Sequence, residues 1–392
     1  MGPEILPILP KSAANPEANL RLNRVRGRLE KLSSENSLAP GTFTISDRIP
    51  LAQALDEISR QTGNPLASDF KGAEAEIPLT PGKTYEFWAG LDTLCDGLRL
   101  APQPRGERQQ LVLVKSFRQS PRSAEQNGLV AYLGPFRLEA VRMTSTILLE
   151  SRKSASQLQL ELAWEPRVLP IFAEVTLDEM ELQDSNGEKR ILKLVPRMNE
   201  ILVGSRDIRT TLDVPLAGFA PESAKSAESL NLHGKLSAVV AGESTNFELD
   251  DLAARVGKEF QPVSYHKAAV LVTFSALRRE TVTDAEGAAK SFLVVTARYR
   301  YEESHEAMES HRTWVYDNYA RLENTADPAQ APIESDHSEL LRQTSNELAV
   351  DIYFPETDEL RNHLADWKIV FPRPCGLYRV EYDFCLKGVP IP

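Results

Sequence analysis

The sequence predicts a multi-domain protein of mixed class: a small α+β domain with two helices on a short sheet, followed by two immunoglobulin-like β-sandwiches. The chain has 392 residues, which is enough for two to four domains of ordinary size. Apolar residues at helical spacing occur mainly before residue 118. After residue 128, short segments that alternate apolar and polar side chains follow one another at the spacing of sandwich strands.

Residues 1–40 are predicted to be an N-terminal arm with a short helix. Apolar residues recur there at roughly helical spacing, at Leu20, Leu22, Val25, Leu29 and Leu32. We expect this helix to dock on a neighbouring domain or to fray. Basic residues share the stretch, so an arm that binds nucleic acid or membrane is the second interpretation.

Residues 41–117 are predicted to form the α+β domain. A strand at residues 42–45 precedes a helix with Pro50 at its first position and Gly63 at its end. Two further strands are expected near residues 66–70 and 75–79.

A second helix in this domain is expected to end at Gly97, with a hairpin around Gly106 after it. Its residues 91–94 repeat the apolar pattern of residues 55–58, which lie 36 positions earlier. The unit therefore contains the same plan twice, with both helices on one face of the sheet.

The segment from Ile49 to Gly63, IPLAQALDEISRQTG, resembles the first helix of the secretin and TonB short N-terminal domain, and residues 87–100 resemble its second helix. The order of domains is also similar to that of a group of uncharacterised bacterial envelope proteins. The segments that carry this second resemblance are Gly-Pro-Phe-Arg at 134–137 and the tail at 386–392. Together they imply a periplasmic or otherwise exported protein that makes protein–protein contacts.

The two sandwiches are predicted at residues 129–250 and 251–392, after a polar linker at 118–128. In the first we expect strands near 136–141, 158–164, 175–182, 208–214, 230–240 and 247–249. In the second we expect a short helix at 251–256 and strands near 270–274, 292–301, 314–318, 319–323, 348–354, 367–371 and 377–386.

Charge and composition exclude some functions. The net charge of −11 argues against a broad nucleic-acid surface, which requires clustered Lys and Arg. No apolar stretch is long enough to span a membrane. Residues 5–10 are too short and proline-rich for the core of a signal peptide. Cys95, Cys375 and Cys385 are expected to be reduced and buried.

No catalytic motif is recognisable, and no cofactor is expected. A nucleophile elbow, a phosphate-binding glycine loop and cysteine pairs at zinc spacing are all missing from the sequence. We therefore expect a protein that is not an enzyme.

One segment combines imidazoles with carboxylates and is our candidate interaction patch. Its members are Glu302, Glu303, His305, Glu306, Glu309 and His311. A solvated acidic loop is the simpler interpretation. A divalent transition metal bound through His305, Glu309 and His311, or a metal-dependent enzyme that uses the two histidines, is the alternative.

The tryptophans Trp164, Trp314 and Trp367 lie in or beside predicted strands, where they are expected to fill cores. Exposed together with Tyr316, they would instead form a platform for glycans. Our leading hypothesis is a non-enzymatic interaction or scaffolding protein of the bacterial envelope, which binds through sandwich loops or strand edges. A carbohydrate-binding accessory protein is the rival.

Overall fold

A computed structural model gives the fold of most of the chain. The residues that it describes are 3–10, 13, 15–35, 38–70, 76–105, 110–124, 127–148, 153–184, 189–194, 199–203, 207–216, 227–283, 287, 289–302 and 320–391. None of the helices among them is both long enough and apolar enough to cross a membrane.

The described part is mostly β-structure, in several sheets with few helices, which agrees with a mixed α+β and β-sandwich class. The helices are α1 Pro16–Glu35, α2 Leu51–Thr62, α3 Phe87–Leu98, α4 Leu252–Arg255 and α5 Asp358–Asn362. The strands are β1 Thr42–Thr44, β2 Leu66–Ser68, β3 Thr84–Glu86, β4 Leu100–Arg105, β5 Gln110–Lys115, β6 Val130–Leu133, β7 Phe136–Leu148, β8 Lys153–Trp164, β9 Leu169–Asp184, β10 Lys189–Lys193, β11 Asn199–Leu202, β12 Arg209–Pro215, β13 Ala227–Leu249, β14 Val263–Lys267, β15 Val270–Thr283, β16 Ala289–Tyr301, β17 Arg321–Asn324, β18 Ile333–Glu334, β19 His337–Gln343, β20 Glu347–Pro355 and β21 Trp367–Pro390.

The chain divides into two compact units. Unit 1 comprises Met1–Asn36 and Ala241–Tyr378, and unit 2 comprises Ser37–Val240 and Arg379–Pro392. Of the three boundaries along the chain, the first follows α1 and the other two fall inside the long strands β13 and β21. The domain limits predicted from the sequence remain predictions.

The α+β part of unit 2 contains the two expected helices. Helix α2 ends at Gly63, whose φ of 73° is the left-handed conformation that glycine adopts readily. The second helix, α3, extends past Gly97 to Leu98, and Arg99 takes the left-handed position with φ 53°. The prediction that this helix ends at Gly97 is therefore wrong by one residue.

The strands of this part form two small sheets. β1 pairs with β3, and the order β2-β5-β4 makes a three-stranded sheet in which β2 and β5 are parallel. The hairpin of β4 and β5 confirms the one predicted from the sequence. Of the strand expected at 75–79, the described residues form a single bridge, from Glu76 to Pro50.

The apolar faces of α2 and α3 share one core with the neighbouring β part of unit 2. Leu51, Leu55 and Leu91 are fully or almost fully buried, and Ala163 and Ile208 from the β part belong to the same cluster. Burial of this kind stabilises a fold by about 25 cal/mol per Å² of apolar surface. Residues 42–117 are therefore packed onto the β part rather than separate from it.

The β part of unit 2 has a four-stranded antiparallel sheet of order β12-β8-β7-β6. A second sheet contributes β10, β9, β13 and the end of β21, with β11 also pairing with β9. The ring of Phe136 on β7 lies 6.1 Å from that of Tyr382 on β21, so the two sheets meet there.

Unit 1 contains a five-stranded antiparallel sheet of order β14-β15-β16-β20-β19. Aromatic rings connect it to β21, which belongs to another sheet: Phe371 lies 6.1 Å from Phe274 and 5.8 Å from Tyr299. The guanidinium of Arg373 lies 4.1 Å from the rings of both Tyr299 and Phe371. Two sheets that pack through buried side chains make this unit sandwich-like.

Most predicted strands are present, often longer than expected. Residues 230–240 and 247–249 belong to one strand, β13, and residues 367–371 and 377–386 belong to one strand, β21. The strand expected at 314–318 lies outside the described residues. Cys95 and Cys375 are buried, Cys385 is partly buried, and all three are free thiols.

Candidate functional site

Most of the predicted acidic patch lies outside the described residues. The members concerned are Glu303, His305, Glu306, Glu309 and His311. They include all three candidate metal ligands, so both roles stay predictions. Glu302 is described, and its Oε1 lies 2.9 Å from Nε2 of His266. Within the described residues, no three His, Cys, Asp or Glu side chains are placed to hold a metal ion.

The tryptophans that can be placed are core residues. Trp164 and Trp367 are at most 1% exposed, which confirms the core prediction for both and removes them from any glycan platform. Trp314 and Tyr316 lie outside the described residues. No observation on the described residues favours a carbohydrate site.

A buried charge network lies where α3 meets the four-stranded sheet of unit 2. Arg137 of β7 donates from Nε to Asp92 Oδ2 of α3 at 2.6 Å and from Nη1 to Glu139 Oε2 at 2.7 Å. Tyr132 donates to the same Asp92 oxygen at 3.0 Å, and Arg118 forms an ion pair with Glu139. We call Asp92, Arg118, Tyr132, Arg137 and Glu139 the Arg137 network.

The electrostatics of this network follow from its burial. Burial raises the pKa of Asp92, and the Arg137 guanidinium offsets this only in part. Glu139 is also buried, but hydrogen bonds and charge from Arg118 and Arg137 outweigh that effect and hold its pKa below the ordinary value. Burial likewise raises the pKa of the Cys95 thiol, so this cysteine stays protonated and unreactive.

A second polar network joins the same two parts of unit 2. The fully buried Glu165 accepts hydrogen bonds from the Gly41 N–H at 2.8 Å, from Asn64 Nδ2 at 2.8 Å and from Arg167 Nε at 2.7 Å. Asn64 in turn accepts from the Arg167 N–H at 3.1 Å. We call these four residues the Glu165 network; buried charges require such complete pairing.

The segment Gly-Pro-Phe-Arg at 134–137 lies between the two networks. The Pro135 carbonyl accepts from Trp88 Nε1 at 3.1 Å and from the Glu165 N–H at 3.0 Å. Gly134 has φ 60° and lies against the Tyr382 ring, so a side chain would not fit there. This segment therefore anchors the α+β part to the β part of unit 2.

A cavity of about 180 Å³ opens beside the Arg137 network. Residues 116–122 form its outer wall, and the end of α3 forms its inner wall. Ser116 N–H donates to the Arg99 carbonyl at 2.8 Å, and Arg122 N–H donates to Asp96 Oδ1 at 2.7 Å. The wall is thus fixed at both ends.

Strand β19 is an edge of the five-stranded sheet in unit 1. Within the described residues it pairs with β20 alone, and a β-bulge lies between Leu340 and Arg342. The adjacent side chains of Leu340 and Leu341 are 48% and 53% exposed. An exposed strand edge offers unpaired backbone groups with which another extended chain can pair.

Side chains hold β19 firmly against β20. The His337 ring stacks on the Tyr353 ring with 4.3 Å between centroids. The Tyr353 hydroxyl donates to Glu339 Oε2 at 3.0 Å, and burial, with a smaller effect of this bond, raises the pKa of Tyr353 to about 12. The phenol therefore keeps its proton and the bond persists at neutral pH.

The opposite edge of the same sheet is β14, and helix α1 packs against its C-terminal end. Glu30 of α1 accepts from the Ala268 N–H at 2.8 Å and lies 3.6 Å from Lys267 Nζ. A Cβ at Gly27 would lie 2.5 Å from the His266 ring, so the helix approaches closely. A helix is therefore present within residues 1–40, and in unit 1 it packs against the end of β14; docking on the next domain along the chain, residues 41–117, stays a prediction.

Comparison with protein-family models and with curated proteins gave no match.

Sequence reasoning missed the Arg137 network and the cavity. Arg137 and Glu139 alternate with Phe136 and Leu138, a pattern that ordinarily indicates a solvated polar face. Residues 118–128 were assigned to a polar linker, although part of that segment forms a wall of the cavity. The one available signal was Asp92, a carboxylate among the apolar residues of a predicted helix face.

Proposed function

We propose that this chain is a non-enzymatic interaction protein of the bacterial cell envelope. In this proposal residues 41–117 are a domain like the secretin and TonB short N-terminal domain, and the two β-rich regions are immunoglobulin-like sandwiches. The partner is another protein, which contributes an extended segment along strand β19. The resemblance at Ile49 to Gly63 supports the location and the kind of partner.

The observation that carries this proposal is the difference between the two edges of the five-stranded sheet. Helix α1 packs against the C-terminal end of β14, whereas Leu340 and Leu341 on β19 are exposed. An extended peptide can add to such an edge through backbone hydrogen bonds, while side-chain contacts provide specificity. The bulge at Leu341 limits the regular edge to the residues before it, so the added segment is short.

The chemistry of β19 defines the segment that it would accept. The strand offers two leucines between Glu339 and Arg342, so it favours an apolar residue flanked by charges of either sign. Proline in the partner segment would remove a backbone donor and is excluded.

The test is capture from an envelope extract followed by measurement with the purified partner. The double variant Leu340→Lys/Leu341→Lys should lose binding, because two ammonium groups would be desolvated at the contact. The matched control is Val282→Lys on β15 of the same sheet, where the side chain is also exposed. Amide hydrogen exchange in residues 337–343 should slow when the partner binds.

Full affinity of the double variant, together with unchanged exchange in β19, would refute the role of this edge. Cell fractionation tests the location, since a cytoplasmic protein would contradict the envelope proposal. Deletion of residues 42–117 is not a usable test, because it would expose the shared core around Ala163 and Ile208.

A further inference from the structure

We propose that the cavity beside the Arg137 network binds a phosphate-type oxyanion, either inorganic phosphate or the phosphate group of a monoester. Three arginines line it, Arg99, Arg118 and Arg122, against one carboxylate, that of Asp96. This gives the lining a formal charge of +2, in a chain whose net charge is −11.

Two of these guanidiniums are available to a ligand. Arg118 is already paired with Glu139. Arg99 is exposed, and within the described residues its side chain makes no hydrogen bond. Arg122 Nε is buried without a partner, and Arg122 lines both this cavity and a smaller one beside Trp88 and Arg137. A buried donor without an acceptor is unfavourable, so an occupant that accepts a hydrogen bond from Arg122 would be favoured.

The remaining groups also favour an anion. Both oxygens of Asp96 accept backbone N–H groups, from Arg122 at 2.7 Å and from Ser123 at 2.9 Å, which reduces its repulsion of an anion. The Ser116 and Ser120 hydroxyl oxygens each accept a hydrogen bond from Arg118, so these bonds do not use their O–H donors, and both serines line the cavity.

The negative end of the α3 dipole opposes an anion, and its charge can be compared with that of the cavity lining. The cavity lies at the C-terminal end of α3, where the helix dipole is equivalent to about −0.5 charge. The pair with Glu139 neutralises Arg118, so Arg99, Arg122 and Asp96 leave a charge of +1, which exceeds the dipole charge and keeps the local charge positive. A tetrahedral oxyanion offers more acceptor oxygens than a single carboxylate, and arginine binds phosphate through two parallel hydrogen bonds.

The backbone at Arg99 supports a binding role. The left-handed conformation is unfavourable for a non-glycine residue, and Arg99 adopts it with φ 53°. Glycine is the usual residue at this helix end. Arginine there places a guanidinium at the mouth of the cavity, which a glycine could not supply.

The experiment is isothermal titration calorimetry of the full chain at neutral pH and low salt, with sodium phosphate, phenyl phosphate and sodium acetate as separate ligands. We expect one phosphate site and at least about tenfold weaker binding in Arg99→Gln, since a charged hydrogen bond contributes about 1.5–3 kcal/mol. Arg99→Lys should retain part of the affinity. The control Arg105→Gln, an exposed arginine paired with Asp69, should change binding by less than about twofold.

The three ligands separate the possible outcomes. Phenyl phosphate that binds as well as phosphate supports a monoester as the ligand, whereas phosphate alone supports the free ion. Equal binding of acetate overturns the phosphate class. No binding of phosphate, or unchanged binding in Arg99→Gln with its fold intact by circular dichroism, overturns the site. Arg99 serves as the main variant because Arg122 also acts electrostatically on the buried Asp92.

Discussion

The substitution Arg137→Met should destabilise unit 2 strongly at neutral pH. The Arg137 side chain is 2% exposed and donates three hydrogen bonds, to Asp92, to Glu139 and, at 3.2 Å, to the Arg122 carbonyl. Methionine fills much of the same volume without a charge. Glu139 would keep its ion pair with Arg118, whereas Asp92 would keep only the Tyr132 hydroxyl.

The magnitude follows from the fate of Asp92. Removal of one partner from a buried ion pair ordinarily destabilises a protein by about 3–5 kcal/mol. Asp92 can escape by taking up a proton, and protonation of an ordinary aspartate with a pKa near 3.9 is unfavourable by about 4 kcal/mol at pH 7. The two estimates agree, so we expect a loss of about 3–4 kcal/mol.

This explanation also fixes the pH dependence. In the variant the folded-state pKa of Asp92 rises further above its unfolded value. A carboxyl group whose pKa is raised in the folded state destabilises the fold most at pH values above that folded-state pKa. The destabilisation disappears as the pH falls to the pKa of the unfolded state. The difference between the variant and the natural protein should therefore shrink as the pH approaches about 4.

Equilibrium unfolding in urea, followed by tryptophan fluorescence from Trp88 and Trp164 in unit 2, measures the effect. Arg105→Met, which removes an exposed ion pair with Asp69, is the control and should change the free energy of unfolding by less than about 1 kcal/mol. A loss below about 1 kcal/mol in Arg137→Met, or a loss that does not depend on pH, would refute the buried-charge explanation. The double variant Asp92→Leu/Arg137→Met should recover much of the stability.

Two further predictions concern the same two networks. The pKa of Glu139 is lowered in the fold, so its stabilising contribution is present above about pH 4.3 and is lost as the pH falls through its folded pKa. The free energies of unfolding of Glu139→Gln and of the natural protein should therefore differ most at neutral pH. A difference that stays constant with pH would contradict this. The substitution Glu165→Ala leaves the donors of Gly41 and Asn64 unpaired, so amide exchange at Gly41 and the end of α2, measured by mass spectrometry, should accelerate, whereas unchanged exchange would show that the network is not needed.

The sequence was sufficient to predict elements that local rules determine. The end of α2 at Gly63 and the hairpin of β4 and β5 follow from glycine conformation and strand alternation, and both are present. The end of α3 was misplaced because Arg99, rather than Gly97, adopts the left-handed conformation. The packing that holds Arg99 in place is tertiary, and no local pattern reveals it.

The candidate sites were harder to predict because they depend on residues far apart in the chain. Asp92 and Arg137 are 45 positions apart, and Asn64 and Glu165 are 101 apart. A charged residue in a strand is ordinarily solvated, so burial of Arg137 becomes visible only when α3 is placed over β7. The patch that the sequence did suggest lies, apart from Glu302, at residues 303–311, outside the described part.

The two networks bear on how unit 2 could transmit the binding of a ligand. Arg118 lines the cavity and pairs with Glu139, and Arg137 joins Glu139 to Asp92 on α3. An anion that draws Arg118 towards itself would weaken the ion pair between Arg118 and Glu139. The charge of the Glu139 carboxylate would then be balanced mainly by Arg137. The end of α3 also lines the cavity, so a ligand can act on α3 directly as well as through these charges. Hydrogen exchange in α3, measured with and without phosphate, should therefore respond in the natural protein and respond less in Glu139→Gln, and an equal response in both would show that the Glu139 charges do not transmit the binding.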